Sequence, residues 1–208
     1  MTQPPLILAS SSPRRRELLA LLGIEYTIIK PEIDETQHEG EPPLAYVRRL
    51  SQEKAQAVAG QVQSQVTIVA ADTVVILAAD TIGIDGEGEI LGKPADAAEA
   101  RTMLKRLRGR DHLVVTAFTL WRTGPQSMSY TQDVQTRVTM RDYSDDEIEA
   151  YIATGDPYDK AGSYAIQHPG FRPVADLSGS RTNVIGLPLD EVRVALIDFG
   201  YAVQSNQA

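Results

Sequence analysis

A chain of 208 residues that is 42% hydrophobic and 23% charged has enough apolar material for a packed core and too much for a disordered chain. It has no cysteine, which excludes disulfides, thiolate metal sites and a cysteine nucleophile and leaves the redox compartment open. The net charge of −8, from 28 acidic and 20 basic residues, argues against a general nucleic-acid binder and, more weakly, against any anionic substrate.

In chain order, Pro5 to Ala9 predicts a short apolar strand. It is too short for a signal peptide, and no apolar run approaches the ~18 residues of a membrane span, so a cytoplasmic protein outside any membrane is expected. Ser12 suits a helix N-cap and Pro13 its first position; Leu18, Leu19 and Leu22 share a face, and Gly23 suits the C-terminal end. Ile24 to Ile29 predicts a second strand, 32–41 an acidic loop, and Leu44, Val47, Leu50 and Val58 a helix from about 43 to 59. Val66 to Leu77 predicts a buried strand interrupted at Asp72-Thr73, and Asp85-Gly86 a hairpin turn returning through Ile90-Leu91. Asp96 with Glu99 has the form of a capping box, followed by Ala100, Met103, Leu104 and Leu107 at helical spacing. Leu113–Trp121 and Met128–Met140 predict a long hairpin, the second arm placing Met128, Tyr130, Val134, Val138 and Met140 on one parity. Ser144 with Glu147 caps another helix that Gly155 ends; Tyr164–Ile166 predicts a short strand, and Leu189, Val192, Leu196 and Phe199 a final helix. The polar residues 204–208 predict a frayed tail. The expectation is one mixed α/β domain over 1–208, its long hairpin arguing against a purely parallel sheet.

Five segments carry chemistry. In Ser10-Ser-Ser-Pro-Arg-Arg-Arg16, three arginines crowd a helix N-terminus that already carries positive partial charge. Hydroxyls, free N–H groups and guanidinium forks there suit a phosphate; the alternative is a solvated basic patch. Glu32-Ile-Asp-Glu35 offers oxygen ligands for a hard divalent ion, though such loops are usually just solvated. Asp72 inside an apolar strand faces a severe desolvation cost, so it must be paired, bind metal or sit at an exposed end. It could hold a metal or accept a proton from water, or merely cap a bulge. Lys93, between Gly92 and Pro94, could reach a phosphate, as could Lys54, although a lone lysine on an amphipathic helix is usually solvated. The Gly- and Pro-rich stretch 155–167 suits a site wall, where the Gln167 amide could read a nucleobase edge. P-loop, HExxH and GxSxG motifs are absent.

In order, Ser10-x-Ser12-Pro13-Arg14-Arg15, Asp34-Glu35, Lys54-Ala55, Ala71-Asp72-Thr73-Val74-Val75, Gly92-Lys93-Pro94, His112-x-Val114-x-Thr116, Asp159–Gln167 and Gly186-Leu187-Pro188 resemble the Maf family of nucleoside triphosphate pyrophosphatases. The resemblance runs from about Leu6 to Tyr201. It implies a fold like that of the inosine triphosphate pyrophosphatases, an elongated mixed sheet flanked by helices around a central cleft. It implies cleavage between the α and β phosphates with Mg2+ or Mn2+, and a homodimer. Asp72 matches the family's proton acceptor, Glu35 its acidic-loop carboxylate, and Lys54 and Lys93 its basic positions. Arg14, Thr73 and Gln167 match positions tied to base specificity, and the form of 159–167 resembles the branch acting on dTTP and UTP. Ser10, Ser12 and Arg15 join them as expected substrate contacts, with Glu35 and Asp72 as expected metal ligands. Arg181, the stretch 78–89 and the third arginine, Arg16, depart from the family pattern. A 7-methyl-GTP pyrophosphatase and a non-catalytic nucleotide sensor in cell division are the rival readings. The acidity is uneven, with five acidic residues in 32–41 and five in 142–149, and part of it is expected to recruit the metal that accompanies a triphosphate.

Overall fold

The computed structural model describes residues 3–77 and 88–203; the predicted Asp85-Gly86 turn and the tail 204–208 lie outside the described residues. Among the described residues seven strands form one mixed sheet in the order β2-β1-β3-β5-β6-β7, with β4 added to β3. β1 (Leu6–Ala9) pairs in parallel with both β2 (Tyr26–Ile28) and β3 (Thr67–Leu77). Parallel neighbours need crossovers, which α1 (Pro13–Ala20) and α2 (Pro43–Ala59) provide. The remaining pairings are antiparallel: β4 (Glu89–Leu91) on β3, and then β5 (Asp111–Arg122), β6 (Met128–Met140) and β7 (Val174–Ser178). The long hairpin is β5–β6.

One detail of register opens the sheet. β1 accompanies β3 only as far as Ala9 opposite Ala70, and β4 joins the same strand only from Leu91 opposite Val75. Residues 71–74 therefore have no partner on that edge among the described residues, while β5 stays paired along the other edge through Ile76. Both flanking strands run toward the gap, so the segments leaving β1 (Ser10–Ser12) and β4 (Gly92–Lys93) enter it.

The helices cover both faces. On one, α2 buries Val47, Leu50, Ser51, Lys54, Ala55 and Val58, a single helical stripe, against β3 and β5. On the other, two apolar clusters lie on either side of the gap. One joins α1 and α6 (Leu189–Asp198) to Val69, Ala71 and Phe118. The second joins α3 (Ala97–Leu107) and α4 (Asp145–Ile152) to Val75, Leu77 and Val114. The two cores share a continuous β3–β5–β6 floor.

Four local expectations change. β3 is uninterrupted at Asp72-Thr73, because a strand paired on one edge tolerates a polar residue at the open one. Tyr164–Ile166 is irregular backbone after two 3-10 turns, Asp156–Asp159 and Ala161–Ser163. Gly162 and Ser163 turn the backbone through positive φ (69° and 62°) just before this segment, and although Tyr164 is extended, a turn follows at 166–167 before any ladder forms. β7 and α5 (Arg181–Ile185) were not expected: each is five residues long, with too few apolar positions to show a period. At α3, the Asp96 side chain accepts from Glu99 N, but Glu99 reaches back one residue further, to Ala95 N, so the capping box is only half formed. No helix among the described residues is long and apolar enough to cross a membrane.

Candidate active site

A cleft of about 560 Å3 opens at the gap in the sheet, and all ten residues singled out from the sequence line it: Ser10, Ser12, Arg14, Arg15, Glu35, Lys54, Asp72, Thr73, Lys93 and Gln167. Arg16 is exposed and does not line it. Of the acidic run 32–41 only Glu35 does; Glu41 pairs with Arg49 at 2.7 Å, and Asp34 caps the backbone N–H of Thr36. In the second run, Asp145 pairs with Lys105 and Arg108, Glu147 with Arg141, and Glu149 with Arg101. Glu41, Asp145, Glu147 and Glu149 are thus held in ion pairs away from the cleft, and of the two runs Glu35 alone lines it.

β3 alternates faces, so Asp72 and Thr73 look to opposite sides of the sheet and meet different helices. Asp72 faces α2. Lys54, only 6% exposed, occupies a position of the buried stripe, and its ammonium lies 2.5 Å from Asp72 Oδ1 and 2.8 Å from Glu35 Oε1. Asp72 itself is 9% exposed. Burial works to raise the Glu35 pKa, but the Lys54 hydrogen bond and the charges of Lys54, Lys93 and Arg15 outweigh it and hold the carboxyl below its ordinary value. Tyr46, one helical turn into α2, donates to the Glu35 carbonyl at 2.8 Å and so ties the acidic loop to the helix. Burial, then the Asp72 and Glu35 charges, raise its phenol above the usual value.

Thr73 faces α1. Arg15 donates through Nη2 to Thr73 Oγ1 (3.1 Å) and through Nε to the Gly186 carbonyl (2.8 Å). Thr73 is tied on to Thr116 Oγ1 at 2.9 Å, and Thr116 donates to the Asn183 carbonyl at 3.1 Å. The Thr of the His-x-Val-x-Thr motif therefore anchors the support of Arg15. Burial, only partly offset by Asp72, lowers the Arg15 pKa from its very high ordinary value. Ser12 caps α1, accepting from Arg15 N at 3.4 Å, and buried Ser10 accepts from Ser12 N at 3.1 Å. These hydroxyls shape the turn, and the chain's two leading arginines then split: Arg15 into the cleft floor, Arg14 to Asp159 at 3.1 Å. Lys93 and Gln167 are exposed on the facing wall. Their two segments are joined by the Gly162 N–H, which donates to the Gly92 carbonyl at 3.0 Å.

Residues that the motifs did not mark as site residues also line the cleft, among them Tyr46, Asp159 and Lys160. A signal existed for Lys160, in the Asp-Lys-Ala-Gly stretch; for Tyr46 there was none, since its partner is a loop carbonyl.

The donor set accords with a divalent ion that arrives on a ligand. Among the described residues no group of three or more His, Asp or Glu is placed to hold a metal. Lys54 takes one oxygen of Glu35 and one of Asp72, which leaves Oε2 and Oδ2 as hard donors. Magnesium characteristically takes one or two carboxylates and completes its shell with phosphate and water.

The profile of the family described as Maf-like protein matches residues 5–199. A relative from Syntrophus aciditrophicus named dTTP/UTP pyrophosphatase is 44% identical over 96% of this chain and 92% of its own length. Another of that name, from Myxococcus xanthus, is 48% identical over 94% of this chain and 92% of its own. Among solved structures, a HAM1 protein from Coxiella burnetii superposes with a TM-score of 0.51 over 94% of this chain and 100% of that one, at 15% identity. The Staphylococcus aureus Ham1 protein gives 0.51 over 93% and 98%, at 16% identity. Those likenesses show the fold, the mixed sheet flanked by helices around a cleft. The match across residues 5–199 and the near-full-length identity to the two bacterial relatives together mean that the chain belongs to the Maf-like protein family.

Proposed function

We propose that this chain is a nucleoside triphosphate pyrophosphatase that hydrolyses dTTP and UTP to the monophosphate and pyrophosphate. One observation carries the reading: carboxylates, lysines and arginines from five separate stretches of sequence converge on one cleft, at the gap that β1 and β4 leave on β3. The names of the relatives supply the nucleotide class. In the proposed reaction a water oxygen bonds to the α-phosphorus as the α–β bridging P–O bond breaks and pyrophosphate leaves. Asp72 takes the proton of that water. Arg15, Lys54 and Lys93 neutralise charge that shifts toward the leaving pyrophosphate, a matter of positioning and preorganised electrostatics. Glu35, joined by Asp72 where that carboxylate serves as ligand rather than base, would hold Mg2+ or Mn2+, which would supply Lewis-acid stabilisation of the phosphate oxygens when bound. Gln167 offers a donor and an acceptor to a base edge. We place the enzyme in the cytoplasm, with its nucleotide pool, and as a homodimer, which sedimentation velocity tests.

The decisive experiment is a panel of dTTP, UTP, dCTP, GTP and 7-methyl-GTP with pyrophosphate detection, with and without chelator. Turnover led by dTTP and UTP and abolished by chelator is expected. Purines ahead of both would overturn the substrate, and binding without turnover would favour a sensor. Asp72→Asn keeps the side chain's size and removes its basicity, so kcat with the best substrate should fall by ~10²–10⁴-fold; wild-type turnover in that variant would remove Asp72 from the role.

A further inference from the structure

Along one wall the cleft is spanned by a chain of charges that the proposed chemistry leaves unused. Lys160 is 7% exposed, and its ammonium donates to Asp156 O at 2.6 Å, Asp156 Oδ1 at 2.9 Å and Asp159 Oδ1 at 2.6 Å. An ammonium has three donors, so none is left for a ligand. Asp156 is braced behind by the Tyr151 hydroxyl at 2.7 Å. Asp159 then turns its other oxygen across the cleft: Arg14 Nη1 donates to Oδ2 at 3.1 Å, and Nη2 to the Asp159 carbonyl at 3.4 Å. Arg14 belongs to α1 and one core, while Asp159 follows α4 and the other.

The charges divide the cleft. Arg14 and Lys160 face two carboxylates, Asp156 and Asp159, so that wall is neutral. The other two carboxylates, Glu35 and Asp72, lie among the remaining lining cations, Arg15, Lys30, Lys54 and Lys93, so that this second side keeps a positive excess before any metal adds to it. A triphosphate belongs on the second side.

We infer that Asp159 is a positioning residue for substrate selection: pinned by Lys160, it holds the Arg14 guanidinium at the wall with its charge neutralised, so that Arg14 offers N–H donors to an uncharged acceptor of the nucleotide. This rests on the pyrophosphatase reading above. Thymine and uracil present a carbonyl oxygen on each side of an N–H, whereas cytosine replaces one carbonyl by an amino donor. Selection of thymine over cytosine therefore passes through the Asp159–Arg14 pair.

The test is a double-mutant cycle in steady-state kinetics with dTTP and dCTP. Asp159→Asn keeps the shape and removes the charge. It should lower the dTTP-to-dCTP ratio of kcat/KM by about tenfold, through KM, with kcat for dTTP within about threefold of wild type. Arg14→Ala should lower the same ratio, and the double variant should be no less selective than Arg14→Ala alone. A residue that only braced its 3-10 turn would reduce kcat/KM for both nucleotides alike and would add its loss to that of Arg14→Ala; either result overturns the proposal. Should Asp159→Asn not fold, Asp159→Glu, which keeps a partner for Lys160 and displaces the carboxylate, carries the same expectation. The wild-type panel judges the substrate reading separately. If another triphosphate leads, the cycle is run with that nucleotide against its analogue lacking one base carbonyl; if wild type turns over none, both readings fall.

Discussion

Lys54 sits where a helix stripe would ordinarily carry leucine, and the cost of burying its charge is met by two carboxylates rather than by water. Removing one partner of a buried ion pair leaves the other charge stranded, which typically costs 3–5 kcal/mol. Asp72 would be stranded in this way, whereas Glu35 is half exposed and regains water. Lys54→Met should therefore destabilise the fold by about 3 kcal/mol, the lower end of that range. Adding Asp72→Asn to Lys54→Met should restore part of the loss, because the stranded charge is gone. Urea denaturation of the two variants checks both statements, and a double variant no more stable than Lys54→Met would mean that the pair is not electrostatically coupled. The same residue shows what was legible. The stripe Val47, Leu50, Ser51, Lys54, Ala55 and Val58 puts a lysine on a buried face at helical spacing, and a buried lysine requires an acidic partner. The helix itself was readable from Leu44, Val47, Leu50 and Val58, but Lys54 read as a lysine that is usually solvated, and its burial was not legible because the partner, Asp72, is 18 positions away.

At the scale of elements, the segments with long apolar periods were readable: α2, the β5–β6 hairpin, and the caps Ser12 and Ser144. The stretch 156–167 was not. Its apolar residues Tyr164, Ala165 and Ile166 are buried as a strand's would be, yet Gly162 and Ser163 turn the backbone through positive φ just before them. Burial without ladder pairing looks like a strand in sequence. The turn has a purpose that only the structure displays. At Gly162 the chain passes against β3, where an added Cβ would lie 3.1 Å from Val75 Cγ2, and its N–H holds the Gly92 carbonyl. Gly162→Ala thus meets two penalties, a left-handed φ of 69° and a close contact with a packed side chain. Together they should cost ~2–3 kcal/mol, seen as a fall in Tm of ~4–12 °C for a chain of this size. Because that N–H joins the Lys93 and Gln167 walls, the KM for the preferred triphosphate should rise as well. Pairing Gly162→Ala with Val75→Ala should relieve only the contact, and a thermal melt of that double variant separates the two penalties.

At the scale of the whole molecule, buried His112 makes stability depend on pH. His112 begins the β5 floor under the second core, fully buried, with Nε2 2.7 Å from the Tyr164 hydroxyl and Nδ1 without a hydrogen-bond partner. Burial pushes its pKa down to about 4, against a slight upward pull from the neighbouring Asp111 carboxylate. Burial likewise raises the Tyr164 pKa, so the phenol stays protonated. In the unfolded chain the imidazole returns to an ordinary value near 6.5. Between those values the unfolded state binds a proton that the folded state refuses, so stability is complete above about pH 6.5 and falls as the pH drops toward 4. The interval corresponds to about 3 kcal/mol at full extent. The carboxylates held low by ion pairs, Glu41 and Glu147 at about 2, act in the same direction but only where free carboxyls begin to protonate, near pH 4.5 and below. Urea midpoints measured at pH 7, 6 and 5 should therefore decline in wild type and decline less in His112→Gln, which keeps a side-chain partner for Tyr164 and does not titrate. Equal slopes in the two proteins would assign the acid sensitivity elsewhere. Tyr164 also lines the cleft, and so the first wall to loosen in acid should be the one that carries Gln167, with KM rising at a pH where the fold as a whole still stands.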